Sequence, residues 1–324
     1  MSFIVAITDY VFPSLEPERA VLAPLGVDLR PQQCRTEEEL IALAQDADAV
    51  LNCYAKITAH VIEKLRNCKI IARYGIGVDN VDLAAATRAR ILVTNVPDYC
   101  IDEVSDHALA LLLALARRIV AAAGATSAGT WDIAPHAGIY RLRGQTLGLV
   151  GFGKIARALV SKVQPLGMKA VAYDPYIDPV QIAQHGAEVA GWDRLLAEAD
   201  AISIHVPLSP ETRHLIGARE LAAMKPTAFL INTSRGGIVD ELALAQSLHS
   251  GQIGGAALDV LSVEPPPADH PLRQAPNLIL TPHLAFYSRE SLVELQTKAA
   301  DEVARALKGE PARSPVNPEV LRVA

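Results

Sequence analysis

The sequence predicts an α/β protein of two domains, each a parallel sheet wrapped by helices. Three observations carry this. Short apolar runs that suit buried parallel strands alternate with helix-like runs along most of the chain. The chain has 324 residues, enough for about two domains, and 50% of them are hydrophobic, so each domain can bury its own core. One strand–turn–helix passage, Thr146 to Asp174, carries a glycine pattern suited to close backbone approach by an anion.

Taken in order, Phe3 to Thr8 reads as the first strand. Strand-like runs follow at Val27–Leu29, Ala49–Leu51, Ile70–Arg73 and Ile91–Thr94. Between them lie helix-like runs near Glu16–Leu25, Thr36–Gln45, Thr58–Arg66 and Val81–Arg88. This first unit ends near Pro97. One long helical pattern covers Ile101 to Ala123, and its apolar content points to deep burial or a subunit interface. The segment from Gly124 to Arg143 is irregular. A second unit begins at Thr146, with later strands near Ala201–His205, Ala228–Asn232, Gly255–Asp259 and Leu278–Thr281. The two units look like two copies of one architecture. A strong helix runs from Ser288, its N-cap, to about Lys308. The Pro-rich tail Gly309–Ala324 is expected to lie extended over a surface.

The formal charge of −6 leaves no overall footprint for nucleic acid or an anionic membrane. The four cysteines, Cys34, Cys53, Cys68 and Cys100, are widely spaced and form no Cys-x-x-Cys. They read as reduced thiols of a cytoplasmic protein, without a metal site. The start lacks a basic region and a cleavage site and reads as a strand rather than a signal peptide. The apolar run around Ala108 to Ala116 is too short to span a bilayer and is bounded by His107 and Arg117-Arg118.

The cofactor loop runs Gly151-Phe152-Gly153-Lys154-Ile155-Ala156 directly after a strand and into a helix. Gly151 permits the tight turn, and Gly153 puts no side chain in the way of a close approach. The helix that follows aims its unpaired N–H groups and positive dipole end at the same gap. Asp174 ends the next strand, where its carboxylate accepts from both ribose hydroxyls of an adenosine and repels a 2′-phosphate. The expected cofactor is therefore NAD rather than NADP. Ala156 replaces the third glycine, at a position that serves helix–strand packing and accepts alanine.

Three later pieces read as chemistry. Asn232-Thr233-Ser234-Arg235-Gly-Gly follows a strand, and an arginine at a strand's carboxyl end can hold a carboxylate with two parallel hydrogen bonds. Ala257-Leu-Asp259 leads to Glu264, and Thr281-Pro-His283 follows the last strand. Reducing a 2-keto acid needs a proton donor as hydride reaches the carbonyl carbon, and histidine suits that task. A carboxylate on its second ring nitrogen fixes the tautomer and favours the protonated ring. Glu264 and His283 fit those roles, but residue type alone equally allows a loop acid and a structural histidine. His205 is a rival acid by position, and the other seven histidines read as surface or structural groups.

The motifs Tyr74-Gly-Ile-Gly-Val-Asp-Asn80, Asn95-Val-Pro, the Gly151 loop, His205-Val-Pro207, Asn232-Thr-Ser-Arg235-Gly-Gly, Ala257-Leu-Asp259-Val and Thr281-Pro-His283 resemble the D-isomer-specific 2-hydroxyacid dehydrogenase family over nearly the whole chain. The resemblance implies two Rossmann-like doubly wound domains with a cleft between them. A flavodoxin-like substrate domain would take residues 1–98 and 288–324, and the NAD-binding domain residues 99–287. It also implies a catalytic trio of Arg235, Glu264 and His283. Asp259 would meet the nicotinamide carboxamide; His205, Val206, Pro207 and Thr212 the adenosine and ribose side; Thr233 and Ser234 would lie beneath the nicotinamide. Backbone amides of Ile76 and Gly77 would join the carboxylate clamp, and Tyr54, Tyr74 and Phe286 would shape the pocket for the substrate tail. The apolar helix and the arm after it resemble the family's dimer-forming segment, so a homodimer is expected.

Within the family, the expected reaction is NAD-dependent reduction of a small 2-keto acid, of glyoxylate or hydroxypyruvate type or larger. The stretch around His283-Leu-Ala-Phe286 also resembles the C-terminal binding proteins, which carry Trp where Phe286 stands, so an NAD-responsive corepressor-like binding protein is the alternative of another class. Phosphoglycerate dehydrogenases are a further alternative. They place a phosphate-binding arginine where this chain has Asn52, and the chain ends without an added regulatory domain, which lowers that reading. Formate dehydrogenases carry Gln at the Glu264 position, which makes formate unexpected.

Overall fold

A computed structural model describes residues 2–136 and 138–322. The chain divides into two compact units, Met1–Tyr99 with Ser288–Ala324, and Cys100–Tyr287.

The first unit holds five parallel strands: β1 (Ile4–Ile7), β2 (Asp28–Pro31), β3 (Ala49–Asn52), β4 (Ile70–Arg73) and β5 (Leu92–Thr94). Their order is β2-β1-β3-β4-β5. β3, β4 and β5 are buried throughout, which explains why each reads as an apolar run rather than an alternating one until its last residue, Asn52, Arg73 or Thr94. β2 lies at the sheet edge, largely exposed, and so tolerates Asp28, Arg30 and the terminal Pro31. The helix Glu37–Ala44 starts at Thr36, whose side chain accepts from the Glu39 N–H while Glu39 caps back.

The helix Arg289–Lys308 comes from the far end of the chain but belongs to this unit. It packs on the helix Glu16–Leu22 and on β3 and β4. Its apolar face, Leu292, Leu295, Ala299, Ala300, Val303 and Leu307, is buried, at about 1.5–3 kcal/mol for each large side chain. Ser288 caps it as expected, and Gly309 ends it at φ +75. The tail after it is less extended than expected. Pro315 bridges to Thr94, and the Asn317 side chain accepts from Val93 N–H at 2.7 Å and donates to Ile91 O at 3.0 Å, with 2% exposure. A short 3-10 turn, Pro318–Arg322, follows; Val323 and Ala324 lie outside the described residues.

The second unit holds seven parallel strands: β6 (Thr146–Val150), β7 (Lys169–Tyr173), β8 (Glu188–Val189), β9 (Ala201–Ile204), β10 (Phe229–Asn232), β11 (Gly255–Leu258) and β12 (Leu278–Leu280). Their order is β12-β11-β10-β9-β6-β7-β8. The chain winds outward from β6 to β8, then returns to β9 on the other side of β6. The gap at the carboxyl ends of β6 and β9 is the point where such sheets bind ligands.

The single helix expected over Ile101 to Ala123 is two helices, Ile101–Ala116 and Ile119–Ser127, bent by 62° at Arg117-Arg118. Arg118 takes φ +50 there. Burial explains the break. Ala108, Leu111, Leu112 and Leu115 are held in the core with the helix Lys154–Val163, whereas the second helix buries none of its residues and has nothing to keep it on the first axis. Among the described residues no single helix is long and apolar enough to cross a membrane.

Candidate active site

The Gly151 turn is fixed by its neighbours. Gly151 has φ +88, and a Cβ there would lie 2.8 Å from His205 O and from Val206 Cγ1, so any side chain would collide with the loop after β9. Gly153 differs: a Cβ would meet no protein atom within 4 Å. Gly153 also opens the helix Lys154–Val163 without a side-chain cap, which leaves that helix's first N–H groups to an anion. Lys154 is exposed, Ile155 half-buried, and Ala156 wholly buried against the strand. Phe152 has its ring in the core, and its N–H donates to Asp174 Oδ2 at 2.8 Å. The second Asp174 oxygen accepts from Tyr176 N–H at 2.9 Å. The expected ribose acceptor thus also pins the glycine loop.

On the β9 side, His205 Nε2 lies 2.9 Å from Ser203 Oγ, and burial pushes its pKa down to about 4. Burial thus disfavours the imidazolium form of His205, which argues against it as the proton donor. Thr212 closes the turn after Pro207, donating to Pro207 O at 2.6 Å and accepting from Ser209 N–H at 2.8 Å. After β10, Ser234 Oγ donates to Ile204 O at 2.7 Å. Thr233 Oγ1 is buried with no hydrogen-bond partner. An orphaned hydroxyl is costly unless a ligand satisfies it. With the open space at Gly153, the uncapped helix and Asp174, it makes these residues fit a bound dinucleotide.

Arg235, Glu264 and His283 lie on three loops of this unit, after β10, β11 and β12. Gly236 allows the first two to meet. A Cβ on it would fall 1.9 Å from the Leu261 carbonyl carbon, so only glycine lets the Arg235 turn rest on that backbone. Arg235 Nη1 donates to Ser234 O at 2.9 Å. Glu264 Oε1 accepts from Leu261 N–H at 2.8 Å, and Oε2 lies 2.7 Å from His283 Nδ1. Burial would raise the Glu264 pKa, but the hydrogen bond and charge of His283, the Leu261 N–H and the Arg235 charge outweigh it and hold the carboxyl below its ordinary value. Phe286 stands edge-on to the His283 ring, with centroids 6.2 Å apart.

Asp259 is 1% exposed. Its Oδ1 accepts from Thr281 Oγ1 at 2.5 Å and Leu284 N–H at 3.0 Å, its Oδ2 from Ala285 N–H at 2.8 Å, and its carbonyl from His283 N–H at 2.8 Å. It therefore builds the turn that carries His283, which has φ +54. Sequence reasoning missed two supports. His107, left as structural, reaches Thr281 Oγ1 at 3.1 Å. Glu241 accepts from Ser262 N–H at 2.6 Å and meets His270 Nε2 at 2.9 Å, steadying the Glu264 loop. An acid beside a strand-end loop was the only signal for the second.

In the first unit, Tyr54 is 42% exposed, and its N–H donates to Asp9 Oδ2 at 2.6 Å. Tyr74, expected at the substrate tail, is 2% exposed, and its hydroxyl donates to Glu18 Oε1 at 2.8 Å. Burial raises the Glu18 pKa despite the opposing hydrogen bonds from Gln296 and Tyr74. Ile76 and Gly77 are half-buried on that loop, and Ile76 O accepts from Asn95 Nδ2 at 2.6 Å. Asn52 is 0% exposed and bonded to Ala55 O and Asn80. Arg73 is 8% exposed, and its Nε has no hydrogen-bond partner.

Sheet order, glycine loop and strand-end acid together define a dinucleotide-binding α/β protein. Residues 109–285 match the model of the D-isomer specific 2-hydroxyacid dehydrogenase NAD binding domain. A D-3-phosphoglycerate dehydrogenase of Synechocystis is 41% identical over 90% of this chain and 54% of its own length. A glyoxylate reductase of Korarchaeum cryptofilum is 38% identical, covering 89% of this chain and 88% of its own. A glyoxylate reductase from Paecilomyes thermophila superposes with a TM-score of 0.88 at 27% identity, covering 98% of this chain and 99% of that one. The chain belongs to the D-isomer specific 2-hydroxyacid dehydrogenase family, and its second unit is an NAD-binding domain. It spans about half the length of the phosphoglycerate dehydrogenases it matches.

Proposed function

We propose that this chain is an NAD-dependent dehydrogenase that interconverts a small 2-keto acid and the D-2-hydroxy acid. The observation that carries this is the 2.7 Å contact between His283 Nδ1 and Glu264 Oε2 in the unit that matches an NAD-binding domain. Glu264 takes the Nδ1–H, which sets the tautomer and makes Nε2 the nitrogen that exchanges a proton with substrate. In reduction, His283 gives that proton to the carbonyl oxygen as the carbonyl carbon gains hydride; in oxidation it takes the proton back. Arg235 holds the substrate carboxylate through two parallel hydrogen bonds and polarises the carbonyl. The bound nicotinamide supplies or accepts the hydride. Phe286, edge-on to the His283 ring, contacts the tail.

The glyoxylate reductases among its relatives support a short tail. One observation favours a second substrate class: Arg73, at the carboxyl end of β4, is buried without an acceptor for Nε, and suits a tail with its own anionic group, such as phosphate. Steady-state NADH oxidation over glyoxylate, hydroxypyruvate, larger 2-keto acids and phosphohydroxypyruvate tests both, with NADPH as control. A panel with no oxidation at all, joined to NADH-dependent assembly, would move the protein to the corepressor-like class.

The proposal extends to a cytoplasmic homodimer. The helix Ile119–Ser127 buries nothing, and Trp131 and Ile133 on the arm after it are 92% and 89% exposed, an apolar face that suits a second copy. Sedimentation giving a monomer at micromolar protein would end that part. Burial pushes the free thiols Cys34 up to about 11 and Cys53 and Cys68 up to about 12, which suits unreactive thiols in a reducing compartment.

A further inference from the structure

We infer that His107 is a positioning residue for His283, acting through Thr281 and Asp259. This rests on the function proposed above, since it concerns the same acid. The turn Thr281–Ala285 has no regular structure of its own. What shapes it is Asp259, whose carbonyl accepts from His283 N–H and whose carboxylate accepts from Leu284 N–H, Ala285 N–H and the Thr281 hydroxyl. His283 sits at φ +54, a left-handed conformation uncommon for any residue but glycine.

Thr281 has a single hydroxyl proton. The 2.5 Å contact to the buried Asp259 carboxylate, an acceptor, uses it. Thr281 Oγ1 can then only accept from His107 Nε2, 3.1 Å away, so His107 Nε2 carries a proton and donates it. The same nitrogen lies 3.5 Å from Asp259 Oδ1. His107 thus orients the threonine hydroxyl toward the carboxylate and adds a donor beside a buried anion. It does so from the helix Ile101–Ala116, whose neighbouring residues Ala108, Leu111 and Leu112 are fixed in the core. A rigid element thereby sets the placement of the acid through two hydrogen bonds, without touching substrate.

The test compares His107→Ala, His107→Gln and Thr281→Val in the full chain. Gln is chosen because its amide N–H reaches about as far as Nε2. A positioning role predicts that His107→Ala lowers kcat about tenfold or more while the keto-acid KM and the NADH Kd stay within about twofold. His107→Gln restores kcat to within about threefold, and adding His107→Ala to Thr281→Val costs little more, because without the hydroxyl His107 has nothing to orient. Two results overturn the inference: wild-type kcat in His107→Ala, or equal losses in the Ala and Gln variants with NADH affinity falling in step. Should the wild type turn over no 2-keto acid, the proposed function fails and nitrogen-detected NMR decides this point instead. The His283 ring signals, identified by their loss in His283→Ala, must then shift in His107→Ala and return in His107→Gln; unmoved signals overturn it.

Discussion

Glu264 Oε2 and His283 Nδ1 are 2.7 Å apart, and the other Glu264 oxygen is held by Leu261 N–H. The carboxylate is therefore fixed on both sides, and the imidazole inherits its orientation. Because the Glu264 pKa is held below its ordinary value, its carboxylate stays ionised at higher pH and is lost as an acceptor only as pH falls through that depressed value. On the proposed role, Glu264→Gln removes the carboxylate that fixes the imidazole and should lower kcat/KM for reduction, with a pH profile that differs from the wild type's. Superimposable kcat/KM profiles for the two proteins would show that the side chains do not cooperate.

The two loop glycines separate folding from cofactor binding. Gly151→Ala places a methyl group 2.8 Å from backbone at φ +88, and should destabilise the chain by about 1–3 kcal/mol as well as abolish NADH binding. Gly153→Ala meets no protein atom, so the melting temperature should hold while NADH affinity falls. Calorimetry and fluorescence titration on both variants check this; equal melting losses would contradict it.

His205 makes stability depend on pH. In the unfolded chain a histidine takes up a proton below about 6.5. In the fold, burial delays this until about 4. Between those values the unfolded state binds more protons, so stability declines as the solution is acidified. Replacing His205 by Gln should flatten that part of the urea-denaturation series. An unchanged slope between pH 6.5 and 4 would mean that His205 is already solvated.

Arg235→Lys keeps the charge but loses the planar fork. On the proposed role, kcat/KM for the best 2-keto acid should drop by about 10²–10³, mostly through KM, because a lysine cannot form two parallel bonds. Steady-state kinetics at saturating NADH read this directly. A loss under threefold would remove Arg235 from the carboxylate site.

Much of this was legible in the sequence for physical reasons. Buried parallel strands such as β4 and β6 are apolar on both faces except at an end, and a turn such as that at Gly151 admits no side chain. Other features leave no local trace. The break at Arg118 involves neither Gly nor Pro and follows from what the first helix packs against. Tyr74 follows a strand directly, and composition cannot say whether such a residue turns to Glu18 or to solvent. His107 lies on an apolar helix, 174 residues from Thr281, so only the folded chain brings them together. Asn317 lies in a Pro-rich tail expected only to cross a surface, and nothing local in the sequence marks its side chain as an acceptor for β5.

The most direct test of the central claim is turnover of His283→Ala measured beside its NADH affinity. The account predicts a loss of about 10²–10⁴ in kcat with the NADH Kd within about threefold of wild type, since a proton donor is removed and the nucleotide loop is left intact. Wild-type turnover in that variant on the best 2-keto acid would contradict it.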